Sequence, residues 1–288
     1  MVDEMDALAA DRQARDAAKR QRKKEQRQEM LHSMTLEERR AFVNGEEQKK
    51  VDQLERMQQA MADGSGRIKL AIDLGYDHIM NEKEIKSLGK QLKFVYGSIR
   101  AMETPFQLRL FHCSEQLRES LARFTAVRWH VHWHDTEEFI DVVSAQDLVY
   151  LSPDSPNVLT TLDETKTYVI GGIVDKSRKK GATLQTAETS GITTARLPIQ
   201  EYITERLDHI LNVNTVVDVL IHVSQHGDWK RALTEVLPTR KQRAVGRRSK
   251  RRQQLKTQDD DETEKHSDNE EDEVVEALNA VQIAQEEA

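Results

Sequence analysis

A carboxylate followed by a cluster of cations marks the stretch of this sequence best suited to chemistry. Residues 168–174 are apolar and β-branched around the pair Gly171–Gly172, which predicts a buried strand ending in a sharp bend or a close approach of a ligand. Asp175 follows directly, and four cations come next: Lys176, Arg178, Lys179 and Lys180. This arrangement suits a site for an anionic substrate. A strand followed by a solvated turn and helix start would carry the same residues.

Two further polar features follow predicted strands. Asp73 lies near the end of a strand predicted at residues 68–75, and the loop LSPDSP follows Tyr150 at the end of another. Ligands of parallel α/β sheets bind at the carboxyl ends of the strands, so these features and the GGIVDK segment are expected to cluster. The pattern therefore indicates one site at one end of the sheet.

Alternating histidines form the most metal-like pattern in the chain. His130, His132 and His134, followed by Asp135, would share one face of a strand. The intervening tryptophans and valine take the opposite face, which resembles a core side and turns the histidines outward. No fourth ligand stands at a matching spacing, so we predict a polar strand face and no metal site.

Signals for other cofactors and for a compartment are few. The glycine pair does not fit G-x-G-x-x-G and no P-loop sequence is present, so nucleotide-dependent hydride or phosphoryl transfer is unsupported. Cys113 is the single cysteine, which predicts a core residue and a reducing compartment. No run approaches the ~18 apolar residues of a membrane span, and the acidic N-terminus is unlike a leader peptide. We expect a soluble intracellular protein with no membrane partner, in the nucleus, the cytoplasm or both.

The elements that position these features alternate between strands and helices. Strands are predicted at residues 68–75, 106–113, 127–135, 147–153, 168–174 and 195–199. Helices are predicted at residues 81–102, 114–124, 182–190, 207–225 and 228–238, with Ser114 as an N-cap. This alternation predicts an α/β fold with a mostly parallel sheet and helices on both faces.

Charged segments flank the predicted domain of residues 67–240. Residues 1–66 form a polar arm that is basic between residues 11 and 50, with 12 Lys or Arg against 8 acids. We predict this arm to be helical or partly disordered, with a capping box at Thr35 and Glu38. Residues 240–256 carry nine Lys or Arg and no acid, which fits phosphate binding or a nuclear-import patch. Residues 259–288 hold 13 acids and one lysine, a local charge of −12. Because the whole chain has a net charge of −7, the remaining residues carry +5. We expect the basic and then acidic segment 241–288 to be disordered and the basic body to meet nucleic acid.

A set of motifs between residues 68 and 238 resembles the tRNA position-9 N1-purine methyltransferase family, a branch of the SPOUT superfamily. In order, the motifs are AIDLGYDHIM, KQLKFVYG, DLVYLSPDSPNVL, YVIGGIVDK, ARLPIQEY, LNVN and DWKRALTEVLP. The resemblance implies a SPOUT-type sheet with a C-terminal trefoil knot and S-adenosyl-L-methionine as cofactor. It also implies a monomer, unlike most SPOUT enzymes.

The resemblance further implies roles for individual residues. The implied cofactor-binding residues are Leu151, Gly171, Asp175, Lys176, Ser177, Arg178, Lys179, Thr183, Leu197, His209, Ile210 and Leu211. Asp175 matches the proposed catalytic acid–base. The implied contacts to the target base or to RNA are Asp73, Gln91, Lys176, Arg178 and Lys180. Ile99 departs from the family, which usually has an asparagine there, so one polar RNA contact is in question.

The implied reaction is methylation of N1 of guanine at position 9 of tRNA. Modification of adenine at that position, alone or together with guanine, is a near alternative, and a non-catalytic tRNA-binding scaffold in tRNA processing is another. The N1 proton of guanine must leave during the reaction, and a carboxylate within reach could accept it. Burial would raise the pKa of Asp175 and the adjacent cations would lower it, so a general-base role and an orienting role both stay open.

Overall fold

The computed structural model describes residues 2–62, 67–174, 181–203 and 210–237. The chain divides into two compact units, and the second is Lys50–Thr239. The predicted linker at residues 63–66, the basic run and the acidic tail lie outside the described residues. In the described part, none of the helices combines the length and the apolarity that crossing a bilayer requires.

The described part of the first unit is helical. Helix α1 is Val2–Ser33, and helix α2 is Leu36–Ala60. The predicted capping box is present, because Glu38 N donates to Thr35 Oγ1 at 3.3 Å and Thr35 N donates to Glu38 Oε2 at 2.8 Å. Such reciprocal bonds satisfy amide groups that the first turn leaves without helical partners.

The second unit is built on one sheet of six parallel strands. The strands are β1 Lys69–Asp73, β2 Gln107–Phe111, β3 His132–His134, β4 Leu148–Leu151, β5 Thr167–Gly171 and β6 Thr193–Ala195. Their spatial order is β3-β2-β1-β5-β4-β6, and every pairing is parallel. This confirms the predicted parallel α/β sheet and puts all carboxyl ends of the strands at the same end.

Helices cover both faces of the sheet, as predicted. They are α3 Glu82–Arg100, α4 Glu115–Ala122, α5 Phe139–Val142, α6 Ala182–Thr189, α7 Ile199–Tyr202, α8 Val213–His226 and α9 Trp229–Val236. Alternate residues of β1 enter different cores: Leu70 and Ile72 pack with α3, α4, α8 and α9, whereas Ala71 packs with α5 and α6. The predicted N-cap of α4 is confirmed, because Ser114 Oγ accepts from Leu117 N at 3.2 Å.

The end of α2 belongs to the second unit and not to the arm. Met57 and Ala60 are fully buried in its core. The side-chain amide of Gln107 donates to Ala60 O at 3.3 Å, and His132 Nε2 donates to Met61 O at 2.8 Å. The unit therefore begins at Lys50, before the boundary expected at residue 67. Because α2 is polar in composition, its sequence did not indicate that Met57 and Ala60 are buried.

Several predicted elements are shorter in the structure. Strand β3 covers three of the nine residues expected, because Ala126–Arg128 forms a 3₁₀ turn. Strand β6 ends at Ala195, before Pro198, which has no amide hydrogen to donate to a neighbouring strand. Helix α8 begins at Val213, after Asn212 in extended backbone, although a start at residue 207 was expected. Residues 204–209 lie outside the described residues.

Candidate functional site

A cavity of about 210 Å³ lies at the carboxyl ends of β4, β5 and β6. Five described segments contribute to its walls: the loop after β4, the end of β5, the first residues of α6, residues 196–200 and residues 210–216. The segments are far apart in sequence, and the parallel sheet brings them together. This is where a ligand of an open α/β sheet is expected.

Six of the predicted cofactor-binding residues line this cavity. They are Leu151, Gly171, Thr183, Leu197, Ile210 and Leu211. The other predicted cofactor and phosphate residues lie outside the described residues: Asp175, Lys176, Ser177, Arg178, Lys179, Lys180 and His209. The clustering of the six agrees with a common site, and their binding roles stay predictions.

The glycine pair is required by close packing. A Cβ on Gly171 would lie 2.4 Å from Thr183 Cγ2, and one on Gly172 would lie 2.8 Å from the backbone oxygen of Asp73. Neither residue is among the described glycines with positive φ. The pair therefore lets β5, β1 and α6 approach one another beside the cavity. The sequence predicted a sharp bend or the approach of a ligand, and the close neighbours in the structure are protein atoms.

The loop after β4 is held to its neighbours by short polar contacts. Ser152 N donates to Ala195 O at 2.9 Å, and Thr183 Oγ1 donates to Ser152 Oγ at 2.8 Å. Gly181 N donates to Asp154 Oδ2 at 2.9 Å, and Gly181 has a φ of 74°, which favours glycine. These contacts fix the cavity walls contributed by β4, β6 and α6.

The lining is typical of a pocket for a small organic ligand. Most of the lining side chains are apolar, and they are accompanied by a few polar groups, including Ser152, Asp154 and Gln200. Arg196 also lines the cavity, but its guanidinium binds Glu201 at 2.7 and 3.0 Å. This ion pair raises the pKa of Arg196 and lowers that of Glu201. Apolar walls with few directed polar groups are typical of sites for small molecules and cofactors.

Asp73 is the centre of a buried polar cluster at the end of β1. Its Oδ1 accepts from Gly75 N at 3.0 Å and lies 3.2 Å from His112 Nδ1, and its Oδ2 accepts from the hydroxyl of Tyr150 at 2.8 Å. Its exposure is 3%. The hydrogen bond to Asp73 raises the pKa of His112, with a smaller contribution from Glu138. The contact of Asp73 with the target base, which the resemblance implies, stays a prediction.

The polar cluster around Asp73 extends to the side chains next to Gly171. The hydroxyls of Tyr150 and Tyr76 lie 2.9 Å apart, and Tyr76 donates to Thr186 Oγ1 at 2.9 Å. Burial raises the pKa of Tyr150 well above its ordinary value, and the charge of Asp73 adds to the effect. A Cβ on Gly171 would approach Tyr76 to 3.5 Å and the Tyr150 hydroxyl to 3.6 Å. The cluster therefore supports the part of β5 that forms the cavity wall.

Gln91 has a structural contact at the start of α8. Its Oε1 accepts from Val213 N at 2.9 Å, where Asn212 makes no side-chain cap. Val213 lines the cavity and Gln91 does not. Ile99, the departure from the family pattern, is fully buried in the core. The implied RNA contact of Gln91 stays a prediction.

The histidines of β3 have separate protein partners. His132 bonds to Met61 O, whereas the ring of His134 stacks on Phe111 with centroids 4.5 Å apart and its Nδ1 lies 3.0 Å from Glu137. Both side chains are half-buried, so this face is less open than the sequence suggested. Cys113 is buried as expected, and burial raises the pKa of its thiol to about 11.

Sequence reasoning missed the contributions of Tyr76, His112 and Thr186. These residues carry no spacing signal, because their partners come from strands and helices far away in the chain. A positive φ of 57° at His112 marks that residue only once the backbone is known.

Comparison with known proteins identifies a matching family and several relatives. The family model described as tRNA (guanine(9)-N(1))-methyltransferase TRM10/TRM10A matches residues 4–242. The rat protein tRNA methyltransferase 10 homolog A is 38% identical over 178 residues, which cover 60% of this chain and 52% of that protein. The Schizosaccharomyces pombe tRNA (guanine(9)-N1)-methyltransferase is 36% identical over 179 residues, which cover 60% of this chain and 59% of that protein. The chain thus spans little more than half the length of these curated relatives.

A solved structure extends the likeness to the fold. The crystal structure of full-length spTrm10 in complex with SAH superimposes with a TM-score of 0.55 at 35% identity, and the match covers 59% of this chain and 95% of that one. The family match spans most of the chain and includes every element around the cavity. This chain belongs to the tRNA (guanine(9)-N(1))-methyltransferase TRM10/TRM10A family.

Proposed function

We propose that this chain transfers a methyl group from S-adenosyl-L-methionine to N1 of guanine at position 9 of tRNA. The observation that carries the proposal is the cavity, because it gathers six residues that the family motifs implied for the cofactor. The relatives named as guanine-9 methyltransferases and the relative crystallised with SAH support the same reaction.

The described residues fit such a cofactor. Leucine and isoleucine side chains of the cavity wall would cover the apolar faces of the cofactor. Leu151, Leu197 and Leu211 would enclose the adenosine, and Thr183 would stand at the wall formed by α6. When bound, S-adenosyl-L-methionine supplies a methyl group on a sulfonium centre.

The residues that act on guanine are assigned from the motif YVIGGIVDK. N1 of guanine carries a proton at neutral pH, and this proton leaves as the new carbon–nitrogen bond forms. Asp175 accepts the proton or orients the base. In the first role, replacing the carboxylate by an amide abolishes proton acceptance. In the second, the amide still forms hydrogen bonds and turnover persists.

The tRNA is bound chiefly through its phosphates. Position 9 lies in the folded core of tRNA, so its nucleotide must leave the stack before reaction, at a cost of a few kcal/mol. Contacts from Lys176, Arg178 and Lys180 and from the basic segments 11–50 and 240–256 offset this cost. The acidic residues 259–288 screen the basic run from other RNA. Deleting them should raise affinity for non-target RNA, and unchanged affinity and salt dependence would contradict this role.

The finer architecture belongs to the same proposal. The C-terminal part of the sheet is threaded as a trefoil knot, residues 67–240 hold the catalytic machinery, and residues 241–288 form a tail. The enzyme acts as a monomer, and its basic arms replace the RNA contacts of a second subunit. We place it in the nucleus, the cytoplasm or both, since the run at residues 240–256 fits an import signal.

Methyl transfer to defined tRNA transcripts tests the activity. The full chain is incubated with tritiated S-adenosyl-L-methionine and matched transcripts that carry G or A at position 9. We expect incorporation on the G9 transcript, and 1-methylguanosine after nuclease digestion. Incorporation on A9 alone or on both would establish the adenine or dual alternative. If neither transcript incorporates the methyl group while the chain still binds tRNA, the non-catalytic scaffold is the remaining alternative.

Asp175→Asn separates the two roles of the carboxylate. The general-base role predicts a large loss of turnover for G9, with the remaining rate rising with pH as the N1 proton becomes easier to remove. Near-normal turnover at every pH would eliminate that role. Cofactor binding measured in parallel shows whether the variant still forms the pocket.

A further inference from the structure

A group of three potential metal ligands lies where α8 meets α9. His222 and His226 are one helical turn apart on α8, and Glu235 is in the last turn of α9. One ligand atom from each residue lies within 4.8 Å of the other two. The described lining of the methyl-transfer cavity includes none of the three. The proposed methyl-transfer reaction does not use this group.

We propose that His222, His226 and Glu235 form a binding site for a divalent transition-metal ion, with Zn²⁺ as the best match. Two imidazole nitrogens and one carboxylate oxygen are a ligand set that zinc accepts, with water in the fourth position. Mg²⁺ and Ca²⁺ prefer sets made of oxygen atoms only, so the two histidines argue against them.

The distances between the side chains suit one small ion. His222 Nδ1 lies 3.0 Å from Glu235 Oε2, whereas two ligand atoms around a tetrahedral zinc ion are about 3.3 Å apart, from bonds of about 2.0–2.1 Å. The ion therefore replaces the proton now shared by these two groups, with little change in their separation. The ring centroid of His226 lies 6.4 Å from that of His222. The side chain of His226 therefore has to rotate to bring a ring nitrogen to the ion.

Neighbouring groups orient the carboxylate and add negative charge. Arg231 Nε donates to Glu235 Oε1 at 3.0 Å, which leaves Oε2 directed at His222. Such hydrogen bonds to a ligand commonly fix its orientation. Asp218, one turn before His222, lines the same groove and accepts from Ser98 at 2.8 Å. The groove lies between α3, α8 and α9, so the bound ion joins α9 to α8.

Zinc binding to the intact chain tests the site. After treatment with a chelator, the full chain is dialysed against buffered zinc and the bound metal is measured. We expect one ion per chain, and a rise in the thermal midpoint as the ion stabilises the folded state. His226→Ala keeps the His222–Glu235 hydrogen bond, so the fold is retained while affinity falls by about 10-fold or more. Glu235→Gln should weaken binding similarly.

Controls exclude other imidazoles. His32→Ala removes an exposed histidine from α1 and should leave zinc affinity and the shift in midpoint unchanged. Wild-type affinity in both His226→Ala and Glu235→Gln would overturn the proposal and direct attention to the histidines of β3. Absence of bound zinc in the wild-type chain after dialysis against excess buffered zinc would also overturn it.

Discussion

Removing the hydroxyl of Tyr150 tests whether the polar cluster stabilises the fold around the cavity. Tyr150 is fully buried, and its hydroxyl donates to Asp73 Oδ2 at 2.8 Å. A hydrogen bond to a charged group contributes about 1.5–3 kcal/mol, so Tyr150→Phe should lower the free energy of unfolding by about 2 kcal/mol. In a domain of this size that corresponds to a fall of about 4–8 °C in the thermal midpoint.

A matched control comes from the neighbouring strand. Tyr168 is also buried, but its hydroxyl accepts from the neutral backbone N of Asp163 at 2.6 Å. Tyr168→Phe should therefore cost only about 1 kcal/mol. Urea denaturation of both variants gives the comparison, with circular dichroism to verify that each native state is retained.

A double-mutant cycle identifies the partner. Asp73→Asn removes the charge at nearly constant volume, and its coupling with Tyr150→Phe should be about 1–2 kcal/mol because the two groups are in direct contact. Additive effects, together with a cost for Tyr150→Phe no larger than that for Tyr168→Phe, would refute the reasoning. The cluster would then be a set of independent contacts.

Two further variants probe the cavity wall and the histidine. Gly171→Ala puts a methyl group 2.4 Å from Thr183 Cγ2; we expect a stability loss of about 1–3 kcal/mol and weaker SAH binding by calorimetry. Gly97→Ala, in open space on α3, should instead gain about 0.5–1 kcal/mol, and equal behaviour of both variants would contradict the packing argument. The raised pKa of His112 stabilises the fold below its ordinary pKa of 6.5, and this contribution is lost as pH rises through the folded value. Asparagine tolerates the positive φ at position 112, so His112→Asn is the reference for this comparison. The stability advantage of the wild type over this variant should be full well below pH 6.5 and shrink as the pH rises above it; an advantage that grows with pH would contradict the assignment.

Local signals in the sequence were sufficient for most of the fold. Apolar spacing predicted α3, and Ser114 marked the start of α4. The motif glycines and leucines were enough to expect a common pocket, because the carboxyl ends of parallel strands meet at one end of a sheet.

Local sequence signals could not predict the contacts between residues that are distant in the chain. Met57 is buried although its helix is polar nearly all round, and only the position of β2 and β3 explains why. The partners of Asp73 come from positions 75, 112 and 150, and no spacing rule links them. Gln91 was expected near a target base, and its contact with Val213 depends on how α3 packs against α8.

The position of β1 in the centre of the sheet has a consequence for how the chain folds. Lys69 pairs with Thr167, 98 positions later in the sequence, and β5 is the only described link between β1 and the strands β4 and β6. The N-terminal strands β1, β2 and β3 can assemble early, but the cavity cannot form until a loop of this length has closed. Sheets with such long-range parallel pairing fold slowly. During synthesis, the hydrogen-bonding edge of β1 therefore stays exposed until β5 emerges, which makes that edge the point where chaperone binding or mispairing would occur.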